Sequence, residues 1–363
     1  NAVKILNDAP YIDCVGRGEG EELIPEYLDN LDNLKIVGGL TWRSNNEVVH
    51  NPDRPLISNL DQFPYPDRKS LPIEYIESMP MDAPAVLSLD RFCTMQTTRG
   101  CPFQCIYCDI PSLARGKWRS RSPEHVLGEM QQLNDDGYRS IYLTDDHFLM
   151  QRKRIEAVCN GIIDKKLEFH WGCEGRVDSL AVEELPLMVK ANCTFLAFGV
   201  EAGTQKVLNR LKKGQTIEQI EHAVKQAKKD GIETAHGFFL IGSPNETTKD
   251  ILESFRFAVR LKLDTFSFSR LCVYRGTPLW QEYVERGIID DERDWHKWFK
   301  CSDIDPTILP SEVVHQARKK GYMLLFGYLL LLRPVATFKL LRKFSRYMTT
   351  SDICTLLWEI GRA

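Results

Sequence analysis

Between residues 92 and 273, six short apolar or β-branched runs alternate with amphipathic segments. Strand-then-helix alternation of this kind predicts parallel βαβ units, hence an α/β fold. A closed eight-stranded barrel takes ~250 residues, whereas the six units here occupy roughly 180. The prediction is therefore a partial (β/α)6 TIM-like barrel of parallel strands. A third observation gives the barrel a working end. Cys101, Cys105 and Cys108 follow directly on the first run, and the C-terminal ends of barrel strands are where sites are built.

In chain order, residues 1–50 look like the end of a domain. An apolar run at 11–15 precedes Gly16-Arg17-Gly18-Glu19-Gly20-Glu21-Glu22, which leads into a helix ending near Leu31. Glutamates suit a helix N-terminus, and the run reads equally well as a solvated turn. Residues 36–43 and 47–50 flank Ser44-Asn45-Asn46, a hairpin turn. So little apolar periodicity predicts no independent core. Residues 51–90, dense in Pro, Asp and Asn at their start, are expected to be a linker. The barrel takes 91–300, with strands at 92–97, 140–144, 168–173, 194–199, 233–241 and 265–273. Helices are expected at 123–135, 152–165, 181–191, 216–230 and 246–261. Pro123 after Ser122 marks a helix start, and Gly137 and Gly231 mark helix stops.

Residues 301–363 form a helical, basic and apolar C-terminal region. From Val313 to Ser351 there is no acidic residue, but eight basic ones: Arg318, Lys319, Lys320, Arg333, Lys339, Arg342, Lys343 and Arg346. Between them lies an uncharged run at 322–332, shorter than the ~20 residues a membrane span takes. It suits a helix lying in a membrane interface, or one packed on the barrel or on a second copy.

The chain has 363 residues, 43% of them hydrophobic and 27% charged, as in an ordinary globular protein with a large core. A net charge of −3 gives no global attraction to nucleic acid or membrane. The eleven cysteines are odd in number and, outside the loop, scattered singly. That pattern suits buried free thiols in a reducing cytosol better than a disulfide framework. No apolar leader follows Asn1, and the absent methionine suggests a fragment of a longer chain.

The cysteine loop carries the chemistry. Three thiolates on one tight loop can hold three irons of a 4Fe–4S cube and leave the fourth open for reaction; a fourth cysteine would close it. Arg99, Arg115, Lys117, Arg119 and Arg121 lie near enough in sequence to offset the cluster's negative charge. Zinc is the alternative, with His125 as a fourth ligand, and unliganded thiols are another. His147, His170 and His236 fall near strand ends, where a lone histidine is more often a satisfied polar group than a catalyst, so none is assigned a catalytic role.

Cys101-Pro102-Phe103-Gln104-Cys105-Ile106-Tyr107-Cys108 resembles the CxxxCxΦC signature of the radical S-adenosylmethionine (SAM) superfamily, with Tyr107 as the aromatic. The resemblance implies that the open iron binds the amino and carboxylate groups of SAM. Reductive cleavage would then give methionine and a 5′-deoxyadenosyl radical that takes hydrogen from a substrate. Other strand ends are similar to the family's SAM contacts. Thr144-Asp145-Asp146-His147-Phe148 stands where the family often has Gly-Gly-Glu. The resemblance assigns Asp145 and Asp146 to SAM, although paired aspartates also cap helices. Arg176 could reach a carboxylate, and is equally read as a structural ion pair. Gly199-Val200-Glu201-Ala202-Gly203 looks like Gly-x-Glu-Ser-Gly, whose glutamate binds the ribose hydroxyls. Gly242 ends a stretch similar to the one lying against adenine, and Arg275-Gly276-Thr277-Pro278 resembles a substrate-facing Pro-Gly-Thr-Pro turn.

Residues 13–21 and 60–66 are similar to the end of the Rossmann-like cobalamin-binding domain that precedes the barrel in one branch of the superfamily. The branch's Asp-x-His-x-x-Gly loop is expected upstream of Asn1, so cobalamin is an expectation for the full-length protein. The resemblance implies C-methylation, or another radical remodelling, of a small-molecule or lipid-like substrate. Flavodoxin or ferredoxin would donate electrons, and no nucleic acid partner is expected. The location would be cytoplasmic, with peripheral contact at the inner membrane face through 313–351. Methylthiolation and a non-catalytic Fe–S module are the rival readings.

Overall fold

The computed structural model describes residues 2–45, 47–70, 91–179, 182–290 and 309–332. The chain divides into two compact units, residues 1–66 with 119–121, and residues 67–118 with 122–363.

The first unit holds a three-stranded antiparallel sheet of Cys14–Gly16, Leu40–Ser44 and Glu47–His50. Ser44 pairs with Glu47 across the expected hairpin, and Asn45 takes the left-handed φ of 48° that asparagine tolerates. The helix Gly20–Asp29 starts with Glu21 and Glu22 in its first turn. Glu19 is no solvated residue: it accepts from Ile57 N–H at 2.8 Å and from the Arg119 guanidinium at 2.8 Å. Ala2, Leu6, Leu23, Val37, Leu40, Ile57 and Leu60 are buried. Residues 51–66, placed by the sequence in a linker, belong to this unit. Their order comes from side chains and not from a regular ladder. Arg17 holds Asp53 and the Asn51 carbonyl, and Arg54 pairs with Glu22 and Glu26. Residues 71–90 lie outside the described residues.

In the second unit, six strands form one parallel sheet: β1 (Phe92–Met95), β2 (Ser140–Leu143), β3 (His170–Gly175), β4 (Cys193–Glu201), β5 (Thr234–Ile241) and β6 (Thr265–Arg270). Their order is sequential, β6-β5-β4-β3-β2-β1, and every pairing is parallel. This is the half-barrel that the alternation predicts. The connecting helices are α1 (Pro123–Asp135), α2 (Arg152–Asp164), α3 (Leu185–Lys190), α4 (Gln205–Arg210), α5 (Ile217–Asp230) and α6 (Thr248–Leu261). Thr216 with Gln219 and Thr247 with Asp250 form capping boxes at the starts of α5 and α6. Gly231 closes α5 at φ 106°, a left-handed turn that glycine adopts without steric cost.

Strand alternation splits the side chains between two environments. Leu196, Phe198 and Val200 of β4 join Trp171, Ile241 and the helices in the main core. Phe195 and Ala197 turn to the other face, with Phe92, Tyr142 and the half-buried Phe238. After β6, α7 (Pro278–Glu285) and α8 (Ser311–Leu332) follow. The start of the basic C-terminal region thus packs on the barrel. Val314, Ala317 and Leu325 are buried, and Tyr322 meets Phe255 and Phe268 edge-on at centroid distances of 5.5 and 5.9 Å. Among the described residues, no helix is long and apolar enough to cross a membrane. Outside the loop, Cys93, Cys159, Cys173 and Cys193 are buried free thiols. Cys272 departs from the expectation, being disulfide-bonded.

Candidate active site

The loop after β1 is anchored before it reaches its first cysteine. Asp145, just past β2, accepts from the backbone N–H and hydroxyl of Thr97 and from Thr98 N–H. Asp146 accepts from Gly100 N–H at 2.6 Å. Gly100 sits at φ 87°, and a Cβ there would strike the Lys117 carbonyl. Further on, Ile106 N–H donates to the Leu211 carbonyl at 3.1 Å, and the Ile106 carbonyl accepts from Leu279 N–H at 3.0 Å. The loop is therefore stitched to the segments following β2, β4 and β6. Burial raises the Asp145 carboxyl even against its three hydrogen bonds. Both aspartates, assigned to SAM by resemblance, thus also accept hydrogen bonds from this backbone.

Cys105 is buried, and Cys101 and Cys108 are half-buried. Burial raises the Cys101 thiol, opposed by Arg176 and Lys213, and pushes Cys108 up to about 11. Bare, the Cys101 and Cys108 thiols stay protonated at neutral pH; a bound cation deprotonates a coordinating thiol outright. Among the described residues, no three His, Cys, Asp or Glu side chains gather tightly enough to hold one metal ion. A tetrahedral zinc would draw its sulfurs to within about 4 Å of one another, since Zn–S is ~2.3 Å. A cube is larger, and three thiols on one short loop can take three of its corners.

Three of the five cations near in sequence have partners elsewhere. Arg119 binds Glu19, Arg121 lies over Tyr65 and Arg99 donates to Gln96. Those facing the thiols come from distant segments. Arg176, 6% exposed, donates from Nη1 to Cys105 Sγ at 3.4 Å and stacks 3.7 Å above the Phe103 ring. Its Nε and Nη2 grip Asp178 at 3.0 and 2.8 Å. Burial would raise Asp178, but this grip and Gln215 hold it below the usual carboxylate range.

Glu201 ends β4 at φ 65° and is 7% exposed. Its Oε1 accepts from Lys213 Nζ at 2.8 Å. A Cβ on Gly199 would sit 2.8 Å from both of these atoms, so the glycine two residues before the glutamate leaves room for the ion pair. Tyr107 shares a hydrogen bond with Glu201, and burial, then that glutamate, raise its phenol. Cys105, Tyr107, Arg176 and Glu201 thus converge; Lys213, Asp178 and Phe103 complete the group and were missed. Their one sequence signal is logical: a buried glutamate and a buried arginine each require a counter-charge.

Gly242, at φ 82°, gives its N–H to Glu246 Oε2 at 2.6 Å, and Ser243 N–H donates to the same oxygen at 2.8 Å. Burial raises Glu246 to about 7. His147 and His236 are lowered by burial to about 4. His147 bonds Ser179, and His236 bonds Thr265 and Ser267. Both imidazoles are therefore neutral at pH 7.

Residues 95–258 match the family model described as the Radical SAM superfamily. An uncharacterized methyltransferase of Pyrococcus horikoshii is 32% identical over 88% of this chain and 68% of its own length. The chain belongs to the radical SAM superfamily. An anaerobic magnesium-protoporphyrin IX monomethyl ester cyclase of Rubrivivax gelatinosus is 30% identical over 78% of the chain and 51% of its own length. Among solved structures, the radical SAM methyltransferase TsrM from Kitasatospora setae superposes with a TM-score of 0.66 at 18% identity, covering 77% of this chain and 55% of that one. The cobalamin-dependent radical SAM enzyme OxsB does so at 0.65 and 15%, covering 93% and 57%. At such identities the likeness is one of fold. The chain spans between 51% and 68% of the length of these proteins. Radical SAM membership implies a 4Fe–4S cluster and SAM, and the three thiols with their facing cations fit the former.

Proposed function

We propose that this radical SAM chain methylates an unactivated carbon of a hydrophobic small molecule, with cobalamin as a second cofactor of the full-length protein. The observation that carries the reading is the convergence of Cys101, Cys105 and Cys108 with Tyr107, Glu201 and Lys213 at the C-terminal mouth of the half-barrel. Cys101, Cys105 and Cys108 would hold the cluster, which when bound would supply the electron for reductive cleavage of SAM.

The chain's own residues set the geometry. Cys101, Cys105 and Cys108 hold the cluster, and Asp145 and Asp146 fix the loop that carries them. Glu201 offers its carboxylate to the ribose hydroxyls, with Lys213 holding it in place and Tyr107 closing its other side. The backbone at Gly242 lies along adenine. The inner face of the sheet, with Phe92, Tyr142, Phe195 and Phe238, supports an apolar substrate. Methyltransferases and a tetrapyrrole cyclase among the relatives support methylation first and radical cyclisation second. Met323, Leu324 and Leu331 stay exposed on α8, beside Arg318, Lys319 and Lys320. They support peripheral contact with an anionic membrane, and a flavodoxin or ferredoxin would supply electrons.

SAM carrying a deuterated methyl group separates the outcomes. Incubated with reduced, cobalamin-loaded protein and isoprenoid or tetrapyrrole extracts, it should pass its label to a product carbon. Substrate oxidation without label transfer would replace methylation by cyclisation.

A further inference from the structure

We infer that Arg176 is a positioning residue for the cluster, whose N–H···S bond to Cys105 sets the cluster's reduction potential. The inference rests on the cluster reading of the cysteine loop and goes beyond it. The sequence leaves Arg176 between a ligand's carboxylate and a structural ion pair, and the structure pairs its guanidinium with Asp178. Nε and Nη2 are both on Asp178, Nη2 also donates to the Lys213 carbonyl, and Nη1 is directed at Cys105 Sγ, 3.4 Å away. Its Cζ lies 3.7 Å from the Phe103 ring centroid, and Phe103 is itself in the loop, between Cys101 and Cys105. Asp178 is further fixed by Gln215 at 2.9 Å. The rotamer is thus held at each end and across one face.

The physical consequence has a sign. A cluster gains one negative charge on reduction, and hydrogen bonds to its sulfurs and local charge tune its potential. The Asp178–Arg176 pair is a dipole with its positive end toward Cys105 and its carboxylate on the far side of the guanidinium. Coulomb energy falls with distance, so the nearer positive end dominates. In this setting, 6% exposed, the pair favours the reduced cluster and raises the potential. The pair stands in the turn that directly follows β3.

The test is a redox titration of the anaerobically reconstituted chain, read by the electron paramagnetic resonance signal of the reduced cluster, with iron and sulfide assayed on the same samples. Arg176→Met keeps the stem against Phe103 but loses charge and donor. It should load iron like the wild type and titrate at a more negative potential. Arg176→Lys keeps the charge but not the fork and should fall between the two. Should Arg176→Met fail to load, the lysine variant decides alone. Loaded variants that titrate at the wild-type potential would overturn the inference. A wild-type chain that takes up no iron would instead remove the cluster reading beneath it.

Discussion

Glu201 is a carboxylate at a positive φ, almost without solvent, and neutralised by a lysine twelve positions on. Its environment explains Gly199. The obstruction a Cβ would meet there is the tips of two flexible side chains, so Gly199→Ala should fold with a stability loss of at most about 1–3 kcal/mol. The same change pries the ion pair open, and calorimetry should show SAM affinity lower by tenfold or more, about 1.4 kcal/mol. Unchanged affinity would separate Glu201 from the SAM site. Glu246 makes a prediction in pH. Its carboxyl rises from 4.5 unfolded to about 7 folded, so the folded state binds the extra proton. The associated stability is present below pH 4.5 and lost as pH climbs through 7. Glu246→Gln, which can still accept from Gly242 and Ser243, should remove that decline, worth about 3 kcal/mol at most by pH 8. Urea titrations of both proteins across pH 5–8 check it; parallel curves would contradict it.

At the scale of elements, α8 packs on α6 through a glycine. A Cβ on Gly321 would enter the Phe255 ring, which is fully buried and stacked 3.8 Å from Phe268. Gly321→Ala should therefore cost about 1–3 kcal/mol by overpacking, read as a lower urea midpoint; an unchanged midpoint would mean that α8 does not bear on the barrel. The strands and helices were legible because each repeats a period that burial imposes. Thr216, Thr247 and Gly231 show their roles in their residue types. Residues 51–66 were illegible because Arg17, Arg54 and Glu19 order them through side-chain bonds that leave no period. The cysteine loop was legible from spacing alone, since three ligands for one cube must lie on one short segment. Its anchors were not: Asp145 and Asp146 looked like ligand contacts, and only the folded chain shows Thr97, Thr98 and Gly100 donating to them.

At the scale of the molecule, the half-barrel gathers what the sequence scatters. Cys105, Arg176, Glu201 and Lys213 come from three separate strand ends and one loop, and parallel strands in sequential order deliver them to the same edge. The whole arrangement stands on reductive cleavage of SAM at a cluster held by three thiols. The most direct measurement is 5′-deoxyadenosine formed from SAM by the anaerobically reconstituted, dithionite-reduced chain. The account predicts 5′-deoxyadenosine and methionine from the wild type, and neither cluster nor product from Cys105→Ala. Intact SAM beside a fully built cluster, with apolar candidate substrates present, would contradict it.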